Sequence, residues 1–276
     1  MLYLFINNYL NFIKYVILDS GNRKVKEMID NKMIYAERWK PETLQYMKKS
    51  FIHRYQSFLI NYILTHYKNA LNIYIYRIAD CGCGLGLHTV TLAKCFPNAQ
   101  VYGFDFSEQG IAIANKYNKR SNLSFHTKDV TNEDFGTFDL ISAFEVLEHI
   151  EDWKLLLEKF VNNSRKYLLF SFPVGRMRKY EKMGGHLRNF KRKEVESFLE
   201  TLGVKPLLVL YAGFPFFSPI YREACGWLSN TYEKAYYNIM SRKVELLHHV
   251  MYFLASCCST KKYFGDQFIG LFEKAN

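Results

Sequence analysis

Residues 73–86 of the chain read IYIYRIADCGCGLG, and this stretch decides the fold class. Its first half, Ile73–Asp80, is a short apolar run that ends in an acid, which is typical of a buried strand. Glycines follow at Gly82, Gly84 and Gly86, where they let the backbone turn sharply and approach a ligand closely. The helix predicted after this loop presents unpaired backbone N–H groups to the same place. The stretch therefore predicts a ligand-binding turn between a strand and a helix.

The alternation of strand and helix continues along the chain. We predict helices over residues 85–96, 107–119, 153–160 and 191–202, and strands over residues 100–105, 123–128, 138–143, 167–172, 207–210 and 267–274. This spacing implies a mostly parallel sheet that is covered by helices on both faces. The expected fold class is α/β, with a Rossmann-like, doubly wound, seven-stranded and mostly parallel sheet. Its ligand site is expected at the edge where the strands' carboxyl ends meet.

Helical segments flank and interrupt this predicted sheet. Residues 1–70 are expected to form an N-terminal helical extension, in which a helix starts near Pro41 and apolar side chains recur at helical spacing over Thr43–Tyr67. Residues 71–276 are the expected ligand-binding domain, and residues 213–260 a helical insertion before its last strand. The aromatic start of that insertion suits a lid over an apolar or lipid-linked substrate, and it equally suits a packing or dimer surface.

Charge and cysteine content restrict the class of protein. The formal net charge of +11 suits an anionic partner, and it equally serves solubility. None of the six cysteines forms a CxxC pair, so no metal site or disulfide framework is predicted and a reducing cytoplasm is expected. The apolar segment Met1–Leu18 is interrupted by Asn and Lys, which argues against a spanning helix. A helix lying on a membrane surface stays open as an alternative.

Acidic residues end the strands that come after the glycine loop. Asp105 ends the second predicted strand and Asp129 the third. A carboxylate at the first position can accept both hydrogen bonds of a ribose diol. One at the second position can accept from an adenine amino group, while Val130 or Phe106 packs on the ring. A dinucleotide site would need a glycine at Leu87, so the loop's spacing argues against a nicotinamide cofactor.

Residues 78–119 together with residues 138–150 strongly resemble the class I S-adenosylmethionine (SAM)-dependent methyltransferases. Within that family they are most similar to the small-molecule branch that includes quinone-biosynthesis enzymes. The resemblance implies that SAM is the cofactor, with its methionine part on the glycine loop, its ribose on the acid after strand two and its adenine near the acid after strand three. The positions that match are Asp80, Gly82, Gly84, Gly86, Asp105 and Asp129, and Glu145 is expected to line the same pocket.

The methyl group of SAM is already activated, so the protein has little covalent chemistry to perform. It must align the acceptor with the methyl group, exclude water, and in many cases remove a proton from the acceptor. The candidate bases are Glu148, His149 and His186, and histidine suits this role because its usual pKa lies near neutrality. His186 is the first choice, because it lies in a predicted loop, whereas Glu148 and His149 also suit a structural role beneath the strand-four loop.

The segment after strand four argues against nucleic-acid substrates. Residues 144–147 read FEVL and lack the Pro-Pro motif of amino-directed nucleic-acid enzymes, and no proline precedes a cysteine as cytosine-C5 enzymes require. An RNA hydroxyl stays open as a target. The expected function is methyl transfer to an O, N or C atom of a small-molecule, lipid-linked or glycan-linked acceptor. The alternatives are a nicotinamide-dependent oxidoreductase and a non-catalytic protein of the same fold.

Overall fold

The computed structural model describes residues 39–72, 75–227 and 241–275. The segment Met1–Leu18, and with it the alternative of a membrane-surface helix, lies outside the described residues. So do residues 228–240 of the insertion. The strands are β1 Arg77–Cys81, β2 Gln100–Asp105, β3 Leu123–Thr127, β4 Phe138–Phe144, β5 Ser164–Pro173, β6 Val204–Ala212 and β7 Gln267–Lys274.

These strands form one seven-stranded sheet in the order β3-β2-β1-β4-β5-β7-β6. The pairs among β1 to β5 are parallel, whereas β7 runs antiparallel to both β5 and β6. The predicted mostly parallel, Rossmann-like sheet is thereby confirmed. The reversal of β7 brings its first residue, Gln267, to the edge where the parallel strands end.

The helices are α1 Pro41–Lys49, α2 Phe51–Asn72, α3 Leu87–Cys95, α4 Glu108–Tyr117, α5 Trp153–Asn163, α6 Lys179–Met183, α7 Glu194–Thr201, α8 Arg222–Trp227 and α9 Arg242–Cys258. A turn of 3-10 helix covers Leu147–His149, and a π-helical segment covers Phe216–Tyr221. Ser107 begins α4 as expected, because its hydroxyl accepts a hydrogen bond from the N–H of Gly110 at 3.1 Å.

The single helix predicted over Thr43–Tyr67 is wrong. Ser50 has an extended backbone, with φ −67° and ψ 139°, and it separates α1 from α2. Serine favours such a position because its hydroxyl can bond locally outside a helix, and here it lies 2.7 Å from Nδ1 of His53. Side chains of both α1 and α2 line the cavity at the strand ends.

Helices cover both faces of the sheet. On one face the buried apolar side chains come from α2, α3 and α9, and include Tyr55, Leu59, Ile63, Leu92 and Met251. On the other they come from α5 and α7, and include Trp153, Leu157, Phe160, Val195 and Leu199. The insertion is anchored to the N-terminal helices as well, since Nδ1 of His248 accepts the N–H of Phe51 at 2.7 Å.

None of the helices that the structure describes combines the length and the apolar character needed to cross a bilayer.

Candidate active site

A cavity of about 560 Å³ opens where the parallel strands end. Its walls come from the strand ends, from α1 and α2, and from the segment around α6 and the π-helix. Most of the residues predicted for the site line it: Asp80, Gly82, Gly84, Asp105, Phe106, Asp129, Val130, Glu145, His149 and His186. Gly86 and Glu148 are not part of that lining. One cavity thus contains both the predicted cofactor residues and two of the candidate bases.

The glycine loop between β1 and α3 requires its glycines. Gly82, Gly84 and Gly86 all have positive φ angles, of 74°, 51° and 76°, which side chains disfavour. A Cβ atom on Gly82 would lie 2.5 Å from Cγ2 of Val146. One on Gly86 would lie 2.4 Å from Cε1 of Phe125. Both the available space and the backbone conformation therefore require glycine at these positions. Gly86 determines the shape of the loop and does not line the cavity.

Asp105 ties the end of β2 to this loop. Its carboxylate accepts the N–H of Gly84 at 2.8 Å and the N–H of Ser107 at 2.9 Å. Burial raises the pKa of Asp105, although both hydrogen bonds oppose that rise. Each carboxylate oxygen has a second lone pair that is still available to a ligand hydroxyl.

Asp80 lies at the end of β1, beneath the loop. It is 1% exposed, and it accepts hydrogen bonds from the hydroxyls of Thr89 at 2.6 Å and Ser142 at 2.9 Å. Burial raises the pKa of Asp80 to about 7. A cationic ligand group nearby would favour the ionised form and lower that pKa.

Asp129 and Val130 come after β3 at the other side of the loop. The Asp129 carboxylate accepts the backbone N–H of Thr131 and the side-chain amide of Asn132, both at 3.1 Å. It therefore shapes its own turn as well as lining the cavity. Val130 is buried and Phe106 is half-buried, so both offer apolar surface to a flat ring.

Glu145 is held in a constrained geometry just after β4. Its φ is 57°, a value that is uncommon for a residue other than glycine and that recurs at functional sites. Its Oε1 accepts hydrogen bonds from Ser171 at 2.7 Å and from the side-chain amide of Gln267 at 2.8 Å. Burial raises the pKa of Glu145. The contact with Gln267 exists because β7 runs antiparallel.

Glu148, His149 and His186 come together at another wall of the cavity. Their candidate ligand atoms all lie within 4.8 Å of one another, and the two imidazole centroids are 4.7 Å apart. Glu148 is 0% exposed. Burial, with the charge of Glu145 as the next cause, raises the pKa of Glu148 well above its usual range. Burial disfavours the ionised form that a general base needs, which makes the two histidines the stronger candidates.

Several groups in the cavity wall were not predicted from the sequence. His53 on α2 and His88 on α3 both line it, and burial lowers their pKa values to about 3 and about 4. Both imidazoles are therefore neutral at physiological pH. Glu181 and Arg222 also line it, as an ion pair with side chains 3% and 1% exposed. Spacing along the chain gave no signal for these residues, since tertiary packing alone brings them together.

Comparison with known proteins shows that part of the chain is similar to methyltransferases. Residues 79–165 match the model of a methyltransferase domain. The chain is 38% identical over 85 residues to ubiquinone biosynthesis O-methyltransferase of Rhizobium etli, which covers 29% of this chain and 34% of that protein. It is also 27% identical over 147 residues to malonyl-[acyl-carrier protein] O-methyltransferase of Bacillus cytotoxicus. That alignment covers 51% of this chain and 50% of that protein. The matches thus span a third to a half of these relatives.

A solved structure extends the similarity beyond the matched segment. Magnesium protoporphyrin IX methyltransferase of Synechocystis PCC 6803, solved with bound SAM, superposes with a TM-score of 0.55 at 16% identity. It covers 91% of this chain and 100% of that one, so the likeness of fold includes the flanking helices. The domain match over residues 79–165, the strand order and this likeness of fold all support the resemblance to the class I SAM-dependent methyltransferases seen in the sequence.

Proposed function

We propose that this protein transfers a methyl group from SAM to a small-molecule acceptor inside the cavity at the strand ends. The observation that carries the proposal is the composition of that single cavity. The glycine loop, Asp105 and Asp129 line it together with His149 and His186, so a cofactor and an acceptor would meet in one enclosed space. Enclosure excludes water and fixes the relative orientation of the two reactants.

SAM would lie across the ends of β1, β2 and β3. Asp105 would accept hydrogen bonds from the ribose hydroxyls through its remaining lone pairs. The adenine would lie near Asp129, against Val130 and Phe106. The methionine carboxylate would meet the N-terminus of α3, where unpaired N–H groups attract anions, and its amino group would favour the ionised form of Asp80.

The acceptor would lie at the histidine wall of the cavity. In the transfer to an oxygen acceptor, a lone pair of that oxygen forms a bond to the methyl carbon as the carbon–sulfur bond breaks. The bonding electron pair goes to sulfur, and the acceptor's proton leaves to a neighbouring base or to water. His186 and His149 are the side chains that we propose for activating the acceptor, since both line the cavity.

Apolar side chains suggest the class of acceptor. Met47, Ile52, Met183, Leu187 and Phe217 line the cavity, which suits an aromatic or aliphatic acceptor. The matched relatives are named as O-methyltransferases, which supports oxygen as the methylated atom. We propose that α1, α2 and the described start of the insertion, residues 213–227, act together as the cover of the acceptor.

Calorimetric titration with SAM, S-adenosylhomocysteine and NAD tests the cofactor. We expect SAM to bind, and Asp105→Ala to weaken it about tenfold or more, because removing a charged hydrogen-bonding partner costs roughly 1.5–3 kcal/mol. Asp152→Ala is the matched control, since Asp152 is exposed and outside the cavity. Binding of NAD but not SAM would support the oxidoreductase alternative instead. Tight SAM binding without methyl transfer to any component of a cell extract would support the alternative of a non-catalytic protein with this fold.

A further inference from the structure

We propose that a second, smaller cavity, formed mainly by α1, α2 and α9, binds a phosphate group. This second cavity has a volume of about 290 Å³ and adjoins the first, since Met47 and His53 line both. Lys48 and Arg54 line only the second cavity. Neither of these two residues takes part in the proposed methyl transfer, so the phosphate site goes beyond that function.

The guanidinium of Arg54 is the first argument. It makes no hydrogen bond or ion pair with any residue that the structure describes, and its Nη1 atom is buried. A buried donor without an acceptor costs free energy, and a charged donor costs more than a neutral one. An oxyanion in the cavity would supply the missing acceptors, because a guanidinium and a phosphate form paired, charge-assisted hydrogen bonds.

An aromatic ring orients this guanidinium. Cζ of Arg54 lies 4.0 Å from the centroid of the Tyr252 ring on α9, which is a cation–π contact. The contact uses the flat face of the guanidinium and leaves its N–H groups, which lie in the plane, without acceptors. A side chain that is already oriented loses less conformational entropy when a ligand binds.

The surroundings of Arg54 are the second argument, because they do not balance its charge. None of the described residues that line the second cavity is an aspartate or a glutamate, and the sequence of α2 contains neither. Lys48 adds a second cation to the lining, whereas Glu245 of α9 pairs with Lys49 at 2.9 Å. Burial, with the charge of Arg54 as the next cause, lowers the pKa of His248 to about 4. A positive potential of this kind favours an anionic ligand.

The other side chains of the second cavity suit a phosphate that is attached to an organic group. Asn61 accepts a hydrogen bond from the thiol of Cys95 at 3.2 Å, which leaves its NH₂ group to donate to a ligand. Phe58 and Tyr252 place two aromatic rings in the same walls, with centroids 6.5 Å apart. We therefore expect an aromatic phosphate ester to bind more tightly than inorganic phosphate.

The test titrates the full chain calorimetrically with inorganic phosphate and with phenyl phosphate, and phenol serves as the uncharged control. Each titration is repeated with excess S-adenosylhomocysteine, which should not compete, because Lys48 and Arg54 lie outside the first cavity. Arg54→Met removes the charge and keeps an unbranched apolar chain against Tyr252. Arg176→Met is the matched control, since that arginine is 69% exposed and pairs with Glu223 elsewhere. Thermal unfolding followed by circular dichroism shows whether each variant is folded.

We expect phenyl phosphate to bind with a Kd of about 1 mM or lower. Arg54→Met should weaken this binding about tenfold or more, because charge-assisted hydrogen bonds are lost. Arg54→Lys keeps the charge but not the planar fork, so it should weaken binding by a smaller factor. Lys48→Met should weaken binding by up to about fivefold, because its cation is exposed to solvent. Arg176→Met should leave binding unchanged.

The two phosphates distinguish the source of the ligand. Tighter binding of phenyl phosphate would indicate an organic phosphate, and equal affinities would indicate free phosphate. Absence of binding by both at about 10 mM would overturn the proposal. So would binding that Arg54→Met and Lys48→Met leave intact, that phenol reproduces, or that S-adenosylhomocysteine displaces. The proposed function is tested separately, because SAM binding can fail while phosphate still binds at Arg54.

Discussion

The carboxylate of Asp105 accepts the backbone N–H of Gly84 at 2.8 Å, so the residue expected to hold the ribose also holds the glycine loop. If Asp105 binds the ribose as proposed, cofactor affinity and loop stability both depend on this one side chain. A substitution of Asp105 should therefore change the stability of the protein even when no ligand is bound.

Asp105→Asn should destabilise the protein even without SAM. The aspartate offers one oxygen to Gly84 and the other to Ser107, whereas asparagine has a single oxygen and an NH₂ group that cannot accept. One buried N–H thus loses its partner, at a cost of about 1–3 kcal/mol. Urea denaturation measures the change, with Asp152→Asn as control. An unchanged midpoint would show that these hydrogen bonds do not hold the loop.

Gly82→Ala and Gly203→Ala separate steric collision from backbone strain. Their φ angles are nearly equal, 74° and 75°. A Cβ on Gly82 would lie 2.5 Å from Val146, whereas one on Gly203 would meet nothing within 4 Å. Gly203→Ala should cost only the conformational strain, about 1–2 kcal/mol.

Gly82→Ala should cost clearly more in urea denaturation, and it should also weaken SAM binding. Adding Val146→Ala should restore part of the lost stability by making room. Equal losses of unfolding free energy for the two glycine substitutions would show that the collision with Val146 does not contribute.

Arg222→Met should be much more destabilising than Arg176→Met. Both arginines pair with a glutamate, but Arg222 and Glu181 have side chains 1% and 3% exposed, whereas the Arg176 side chain is 69% exposed. Breaking a buried pair leaves an uncompensated charge and costs about 3–5 kcal/mol, whereas an exposed pair contributes about 0–1 kcal/mol. Thermal or chemical denaturation measures both variants, and similar losses would contradict the assigned burial.

His53 should make the folded protein sensitive to mild acid. Its pKa in the folded state is lowered to about 3, mainly by burial, so below about pH 6.5 the unfolded chain binds a proton that the folded chain does not. The free energy of unfolding should therefore fall as the pH decreases, by about 2 kcal/mol from this residue alone between pH 7 and pH 5. In His53→Gln that part of the pH dependence should disappear. A variant whose stability falls as steeply as the wild type would contradict this.

Local sequence signals predicted the secondary structure around the glycine loop well. The strand over residues 100–105 and the N-cap at Ser107 depend on neighbouring side chains alone, and both match the structure. The glycine loop was recognisable because its φ angles leave few other residues possible. The positions of Asp105 and Asp129 could be predicted as well, since parallel strands place their carboxyl ends together.

The opposite wall of the cavity was harder to predict because distant segments build it. The side-chain amide of Gln267 contacts Glu145 only because β7 runs antiparallel to its neighbours. The residues of a strand do not by themselves specify in which direction that strand runs in the sheet. Arg222 and Glu181 meet through the packing of the insertion on the segment after β5. His53 lies on a helix whose start was misplaced, since Ser50 interrupts the helix that apolar periodicity alone would continue.

The position of β7 has a consequence for how the chain folds during synthesis. β7 lies between β5 and β6, so β6 has no neighbour in the described sheet until β7 arrives. The whole insertion is translated between these two strands, and during that interval the edge of β5 and both edges of β6 expose unpaired backbone groups. Such edges are templates for wrong pairing. The newly made protein should therefore be most prone to aggregation just before β7 leaves the ribosome, and most dependent on chaperones at that point.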